Sequence, residues 1–170
     1  MSPAHEIHCY EYVNHPFDKV SEALVLGAVG VFQRATTSAA ARASSLAAKL
    51  KVTIGGLEVG KNVLIKVVGV DQHAHAPKMA DRATDVKLEW QAETSASLFP
   101  SMRATLRVYP LSPEETQLEL VGTYAPPGGL VGDVADRLVG HRLADAAAHR
   151  FLEDLAGRMN LELSDYVAVR

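Results

Sequence analysis

The sequence predicts an α+β fold: a curved antiparallel β-sheet of about six strands packed around a long C-terminal α-helix, with helical segments between the first and second strands. Apolar and polar residues alternate in several segments of residues 51–124, which is typical of antiparallel strands with one covered and one wet face. A Pro-Pro-Gly-Gly turn at residues 126–129 then leads into a long helical pattern that ends near residue 158. Because this is the one long helix available late in the chain, we expect the sheet to curve around it.

The composition is that of a folded globular protein. The chain has 170 residues, of which 48% are hydrophobic and 22% are charged. This length favours a single domain over residues 1–170, with a core of about residues 7–158 and a C-terminal tail over 159–170. The formal net charge is −3 and no basic run stands out, which argues against nucleic acid as a partner.

Cysteine content and hydropathy restrict the compartment and the cofactors. Cys9 is the one cysteine, which excludes an internal disulfide and a multi-cysteine metal site and favours a reducing compartment. The most apolar run, residues 23–32, is about half the roughly 20 residues that a membrane-spanning helix needs. The first residues lack the apolar segment of a signal peptide. We therefore expect a cytoplasmic protein with no integral membrane segment, no metal and no cofactor.

The first elements are a strand and a helical region. Residues 5–13 alternate imperfectly, and we expect the face with Ile7 and Cys9 to be the covered one. Pro16 is well suited to the opening of a helix. Helical character continues irregularly to about residue 50, and the break at residues 36–38 favours two helices over one.

The strands of the sheet come next. A polar loop over residues 72–83 contains His73 and His75, whose spacing would aim two imidazoles the same way on an extended chain. A surface loop is a more frequent outcome than a zinc site, which would need further ligands. The predicted strands are a hairpin within residues 52–70, then 85–93, 102–109 and 117–124.

Three segments carry a resemblance to a known superfamily. They are Tyr12-Val-Asn-His-Pro-Phe-Asp-Lys-Val20, Gly122-Thr-Tyr-Ala-Pro-Pro-Gly-Gly129 and Phe151-Leu-Glu-Asp-Leu155. Together with the order of elements over roughly residues 7–158, they resemble the START-like helix-grip (SRPBCC) superfamily, which includes polyketide cyclases, lipid-transfer domains and birch-pollen-type allergens. The resemblance implies a sheet that grips the last helix, with an apolar cavity between the two.

His141 is the most informative single residue of the last helix. At about 100° per residue, it projects onto the same sector as Ala144 and Ala148, whereas Arg142 and Glu153 project away from it. A histidine on a buried face needs a hydrogen-bond partner. It is then either a core histidine satisfied by a strand residue or water, or a polar anchor in a ligand cavity, with general acid–base chemistry as an extension.

Small residues on that helix face leave volume that a packed core would fill. They allow either close packing of the helix on the sheet or a cavity. If the cavity exists, Trp90 and Tyr124 would each offer one polar atom within an apolar wall. The predicted ligand-binding residues are His141, Trp90, Tyr124, Leu88, Met102, Leu106, Leu120, Leu138, Ala144 and Ala148.

Three functions remain open from the sequence. The leading hypothesis is binding, with transport as an extension, of a hydrophobic or lipid-like small molecule in the cavity. The second is an aromatase/cyclase-type enzyme without a cofactor that uses the same cavity, for which no catalytic residue is assigned. The third is a ligand-free interaction module, which predicts a filled core.

Overall fold

The computed structural model describes residues 5–26, 63–73, 78–92, 101–125 and 134–167. Within these ranges the elements follow the predicted order, a strand and a helix first, then strands, then a long helix. They are β1 (His5–Val13), α1 (residues 17–26), β2 (Val63–Gln72), a 3₁₀ turn (Met79–Asp81), β3 (Thr84–Ala92), β4 (Ser101–Pro110), β5 (Thr116–Ala125) and α2 (Val134–Val167).

The described strands form one antiparallel sheet in the order β1-β5-β4-β3-β2. The first strand therefore pairs with the last, and the other neighbours follow the chain. The α+β class, the antiparallel sheet and the long C-terminal helix are confirmed. The described sheet has five strands where about six were expected, and the first part of the predicted hairpin, residues 52–62, lies outside the described residues.

Alternate residues of β1, β3, β4 and β5 are buried on one face of the sheet. In β1 the covered face carries Ile7, Cys9 and Val13, as the sequence predicted, while Tyr10 and Tyr12 on the other face are exposed. β3, β4 and β5 alternate in the same way, which gives the sheet one apolar face and one wet face. A bulge between Val67 and Gly69 shifts the register of β2 against β3.

Helix α1 begins directly after Pro16, which stands at its opening as predicted, and is fixed to the beginning of β3. The carbonyl of Pro16 accepts hydrogen bonds from the backbone amides at 19 and 20. The hydroxyls of Ser21 and Thr84 lie 2.6 Å apart and both are buried. Arg82 forms an ion pair with Asp18, and its guanidinium lies 5.1 Å from the centre of the Phe17 ring. The second predicted helix, over residues 39–50, lies outside the described residues.

Helix α2 is longer at its C-terminal end than the sequence predicted. It continues to Val167, where an end near Arg158 was expected, so most of the predicted tail is helix. Gly157 and Asn160 resemble stop signals, but the apolar face runs through them: Leu155 and Met159 are fully buried and Leu163 packs against the core. The i, i+4 spacing of these three residues keeps them on one helix face, which outweighs the weak helix propensity of glycine.

The C-terminal part of α2 is hydrogen-bonded to the end of β1. The side-chain oxygen of Asn160 accepts from the backbone amide of Asn14 at 2.8 Å. His15 Nε2 lies 3.2 Å from Ser164 Oγ, and Thr116 Oγ1 donates to the His15 carbonyl at 2.7 Å. These bonds hold the C-terminal part of α2 at the Val13 end of the sheet.

A candidate ligand-binding site between sheet and helix

Three of the predicted site residues are direct cross-strand neighbours. Trp90 pairs with Met102, and Met102 pairs with Tyr124, so the three form one row across β3, β4 and β5. We call these three residues the tryptophan row. All of them are buried on the covered face, and the Trp90 ring meets the Phe151 ring of α2 edge-on, with 4.9 Å between ring centres. The row therefore lies directly at the contact between sheet and helix.

The adjacent row is made of much smaller side chains. It consists of Leu88, Ala104 and Gly122 in register. A Cβ atom added to Gly122 would lie 2.7 Å from the carbonyl oxygen of Arg103 and 2.8 Å from the Ala104 Cβ. Backbone and side chain thus crowd this position, which is typical of a tight bend in a sheet.

The helix offers small residues as well. Ala144, Ala147 and Ala148 are buried on its covered face, as the helical projection predicted, and Arg142 and Glu153 are exposed. Small residues on both sides of the interface allow either close approach or free volume. Among the described core residues, Ala104 and Ala144 keep the largest exposed fractions, 7% and 5%.

The other predicted site residues divide into two groups. Leu106 and Leu120 are neighbours in a third row of the same covered face and are completely buried. His141 and Leu138 belong to α2, but their side chains are not among those that the structure describes. Their part in the site therefore stays a prediction.

Two polar groups sit within this apolar interface. The Nε1–H of Trp90 is buried and has no hydrogen-bond partner among the described residues. Burial, followed by the negative charge of Asp145, raises the pKa of Tyr124 to about 12. The Tyr124 hydroxyl consequently stays protonated at neutral pH and is able to donate a hydrogen bond.

Sequence reasoning missed Asp145 as a member of the site. It is half-buried next to Ala144 in α2. Its negative charge raises the pKa of a side chain on each of two strands, Tyr124 on β5 and Cys9 on β1. Burial is the larger cause there, Glu11 adds to it, and the Cys9 pKa reaches about 12. A thiol with this pKa is inert as a nucleophile, in agreement with the interpretation of Cys9 as a core residue.

The opposite, wet face of the sheet carries an open depression. Its lining includes Arg103 and Glu89, which pair with each other at 3.2 Å, and Lys87, which pairs with Asp71 outside the depression at 2.8 Å. The hydrogen bond from Lys87 lowers the pKa of Asp71. Paired charges of this kind are typical of a solvated surface.

Neither metal binding nor membrane insertion gains support from the described parts of the chain. They contain no cluster of three or more His, Cys, Asp or Glu side chains suited to a metal ion. His73 is exposed at the end of β2, and His75 lies outside the described residues. None of the helices that the structure describes combines the length and the apolar character needed to cross a bilayer.

The sheet order and the helix packed on its covered face define the class: this is a helix-grip fold. Among solved structures, the chain is similar to the Zhui aromatase/cyclase from Streptomyces sp. R1128, with a TM-score of 0.51 and 14% identity over 95% of this chain and 96% of that one. At this identity the likeness concerns the fold.

Two further solved structures are similar at lower scores. The protein Ara h 8.0201 has a TM-score of 0.47 and 12% identity over 92% of this chain and 98% of its own. A point mutant of norcoclaurine synthase from Thalictrum flavum has a TM-score of 0.44 and 12% identity over 95% of this chain and 97% of its own. No protein-family model matches the sequence, and no curated protein sequence matches it significantly.

Proposed function

We propose that this domain binds a hydrophobic or lipid-like small molecule between the covered face of the sheet and α2, as a cytoplasmic binding protein or carrier. The observation that carries the proposal is the tryptophan row. It places Trp90 Nε1–H, a buried donor with no partner among the described residues, inside a mainly apolar interface beside Tyr124 and a row of small residues. Ligand sites of small molecules combine these features: a mainly apolar wall and a few polar atoms that fix orientation.

The affinity would come mainly from apolar burial. Each Å² of apolar surface removed from water contributes roughly 25 cal/mol to the free energy of binding. The ligand's loss of translational and rotational freedom opposes this gain. The Trp90 donor would add orientation rather than most of the binding energy. We therefore expect the domain to tolerate several ligands of similar size and to discriminate among them by polar groups.

An enzyme of the aromatase/cyclase type is the second candidate, because the Zhui protein carries that name and shares the fold. Such chemistry needs a group that removes a proton from the substrate. Tyr124, whose pKa is raised to about 12, holds its own proton at neutral pH and suits donation instead. This favours binding over proton abstraction at this position.

Native mass spectrometry of the purified protein, with displacement of the neutral fluorescent probe N-phenyl-1-naphthylamine, tests the binding proposal. Trp90 is the one tryptophan of the chain, so its emission reports directly on the interface with Phe151. We expect probe binding with a change in this emission and displacement by uncharged hydrophobic compounds. A protein that binds no probe and carries no copurified compound would favour the interaction module.

Filling the interface separates a ligand site from a solid core. In Ala144→Leu the added volume would occupy ligand space, so we expect lost probe binding with unchanged stability. In a filled core the same change would cost about 1–3 kcal/mol by overpacking. The matched control is Ala146→Leu on the same helix, where the alanine is partly exposed and the probe should still bind.

A further inference from the structure

Two buried side-chain atoms have no hydrogen-bond partner among the described residues, Asp85 Oδ1 and Trp90 Nε1. Asp85 Oδ1 has the Arg107 guanidinium 3.6 Å away as an ion-pair partner, so Trp90 Nε1–H is the one without a charged or polar neighbour of this kind among the described residues. The buried hydroxyls of Ser21 and Thr84 bond to each other, and the buried hydroxyl of Thr116 donates to the carbonyl of His15. Trp90 Nε1–H is just as buried and has no partner among the described residues. Buried donors are paired in most proteins because an unpaired one costs stability, so an exception calls for an explanation.

The position of this donor gives the explanation. Trp90 lies in the tryptophan row, in contact with Phe151 of α2 and next to the row of Ala104 and Gly122. Its cross-strand neighbour Met102 and the Phe151 ring that it contacts offer no oxygen or nitrogen to accept its hydrogen bond. A ligand held between sheet and helix would bring the acceptor.

The charge of the surroundings restricts what the acceptor can be. Asp145 already places a negative charge near Tyr124 and Cys9 on the same interface. A ligand carboxylate beside Trp90 would add a second negative charge in an apolar environment, which is strongly unfavourable. A neutral carbonyl oxygen would accept the hydrogen bond without that cost.

We propose that the ligand of this domain is a neutral, carbonyl-bearing apolar molecule, such as an aryl ketone, and that Trp90 Nε1–H donates a hydrogen bond to its carbonyl oxygen. The inference rests on the proposed function and makes Trp90 a specificity-determining residue. It predicts discrimination between a ketone and a hydrocarbon of the same shape, which apolar burial alone would not give.

The first test uses nuclear magnetic resonance on the wild-type protein. One tryptophan gives one indole ¹H–¹⁵N signal, so its assignment needs no variant. We expect a proton shift typical of a free indole without ligand, and a downfield shift when 2-acetylnaphthalene is added but not when the isosteric 2-isopropylnaphthalene is added. An indole signal that is already downfield without ligand would show a donor satisfied within the protein and would overturn the inference.

The second test removes the N–H group and keeps the ring. Replacement of Trp90 by 3-benzothienylalanine puts sulfur in place of the N–H at nearly constant size. We expect affinity for 2-acetylnaphthalene to fall about three- to tenfold, the range of one net hydrogen bond, with no change for 2-isopropylnaphthalene. The ligand-free variant should be at least as stable as the wild type, because a buried unpaired donor is gone.

The outcomes separate this inference from the proposed function. If both compounds bind and the variant loses affinity for neither, the domain binds apolar molecules but the assignment of Trp90 is wrong. If neither compound nor the neutral probe binds the wild type, the proposed function fails and the inference fails with it.

Discussion

Three glycines with different surroundings allow a sharp prediction of stability. Gly122→Ala places a Cβ atom 2.7 Å from a backbone carbonyl oxygen and 2.8 Å from the Ala104 Cβ, and backbone on one side cannot easily move away. Overpacking of this kind costs about 1–3 kcal/mol. Loss of glycine from a strand regains about 0.5–1 kcal/mol of chain entropy. We expect a net loss of about 1–2 kcal/mol.

The two other glycines are matched controls. At Gly69, also in a strand, the added Cβ would meet only the flexible Lys87 side chain at 3.7 Å, so alanine there should be neutral or slightly stabilising. Around Gly157 in α2 the added Cβ would have nothing within 4 Å. Alanine at an exposed helix position gains about 0.5–1 kcal/mol over glycine.

Urea denaturation followed by circular dichroism measures all three variants at constant m value. The expected order of stability is Gly157→Ala above wild type and Gly122→Ala clearly below it, with Gly69→Ala near wild type. Adding Ala104→Gly to Gly122→Ala should restore part of the loss, because one of the two close contacts disappears and the Arg103 carbonyl remains. A Gly122→Ala protein as stable as Gly69→Ala would refute the argument from crowding in the sheet.

Three further predictions concern the anchors and the buried tyrosine. Ser21→Ala leaves the Thr84 hydroxyl buried without its partner at 2.6 Å and should lower the free energy of unfolding by about 1–3 kcal/mol. Adding Thr84→Val should recover part of this loss in a double-mutant cycle. Additive losses would contradict a hydrogen bond between the two hydroxyls. Asn160→Ala removes the hydrogen bond to the Asn14 amide, so we expect the free energy of unfolding to fall by about 1 kcal/mol. Hydrogen exchange of the backbone amides in the last turns of α2 should become faster. Unchanged exchange rates would contradict the role of Asn160 in holding this end of the helix. The pKa of Tyr124 is 10.0 in the unfolded chain and about 12 in the folded one, so its protonated hydroxyl contributes fully to the free energy of unfolding below about pH 10, and this contribution is lost as the pH rises towards 12. Tyr124→Phe should therefore reduce the alkaline loss of stability measured by urea titration. An identical loss in the variant and the wild type would contradict the prediction.

Much of the sheet could be predicted because one of its faces is wet. In β4 and β5 the side chains alternate between the core and charged or polar surface positions, so the period of two is visible in the sequence itself. The same signal is weaker in β1, where Glu11 shares the covered face and Tyr10 and Tyr12 are exposed, yet the choice of Ile7 and Cys9 was correct. The end of α2 was harder to predict, because local stop signals compete there with tertiary packing through Met159.

The candidate site could be predicted only in part, since it depends on register. The sequence placed Trp90, Met102 and Tyr124 on the covered face of their strands, but alternation alone cannot tell which residues of neighbouring strands stand side by side. The contact between the Phe151 and Trp90 rings likewise depends on how the helix lies on the sheet, which a helical projection alone does not contain. The effect of Asp145 on the pKa values of Cys9 and Tyr124 depends on how α2 lies on β1 and β5. A helical projection does not contain this long-range arrangement.

The anchors of both helices lie at one end of the sheet, and the tryptophan row lies towards the other. Thr84 holds α1, and the segment of Asn14 and His15 holds the C-terminal part of α2 through Asn160. Among the described residues, the hydrogen bonds that hold α2 lie at one end of the sheet and its contacts further along are made by apolar and small side chains, so a shift of α2 at the second end would break fewer of these bonds. If a ligand enters between sheet and helix, its lowest-cost route is therefore the end with Trp90, where the unpaired donor would meet its carbonyl first.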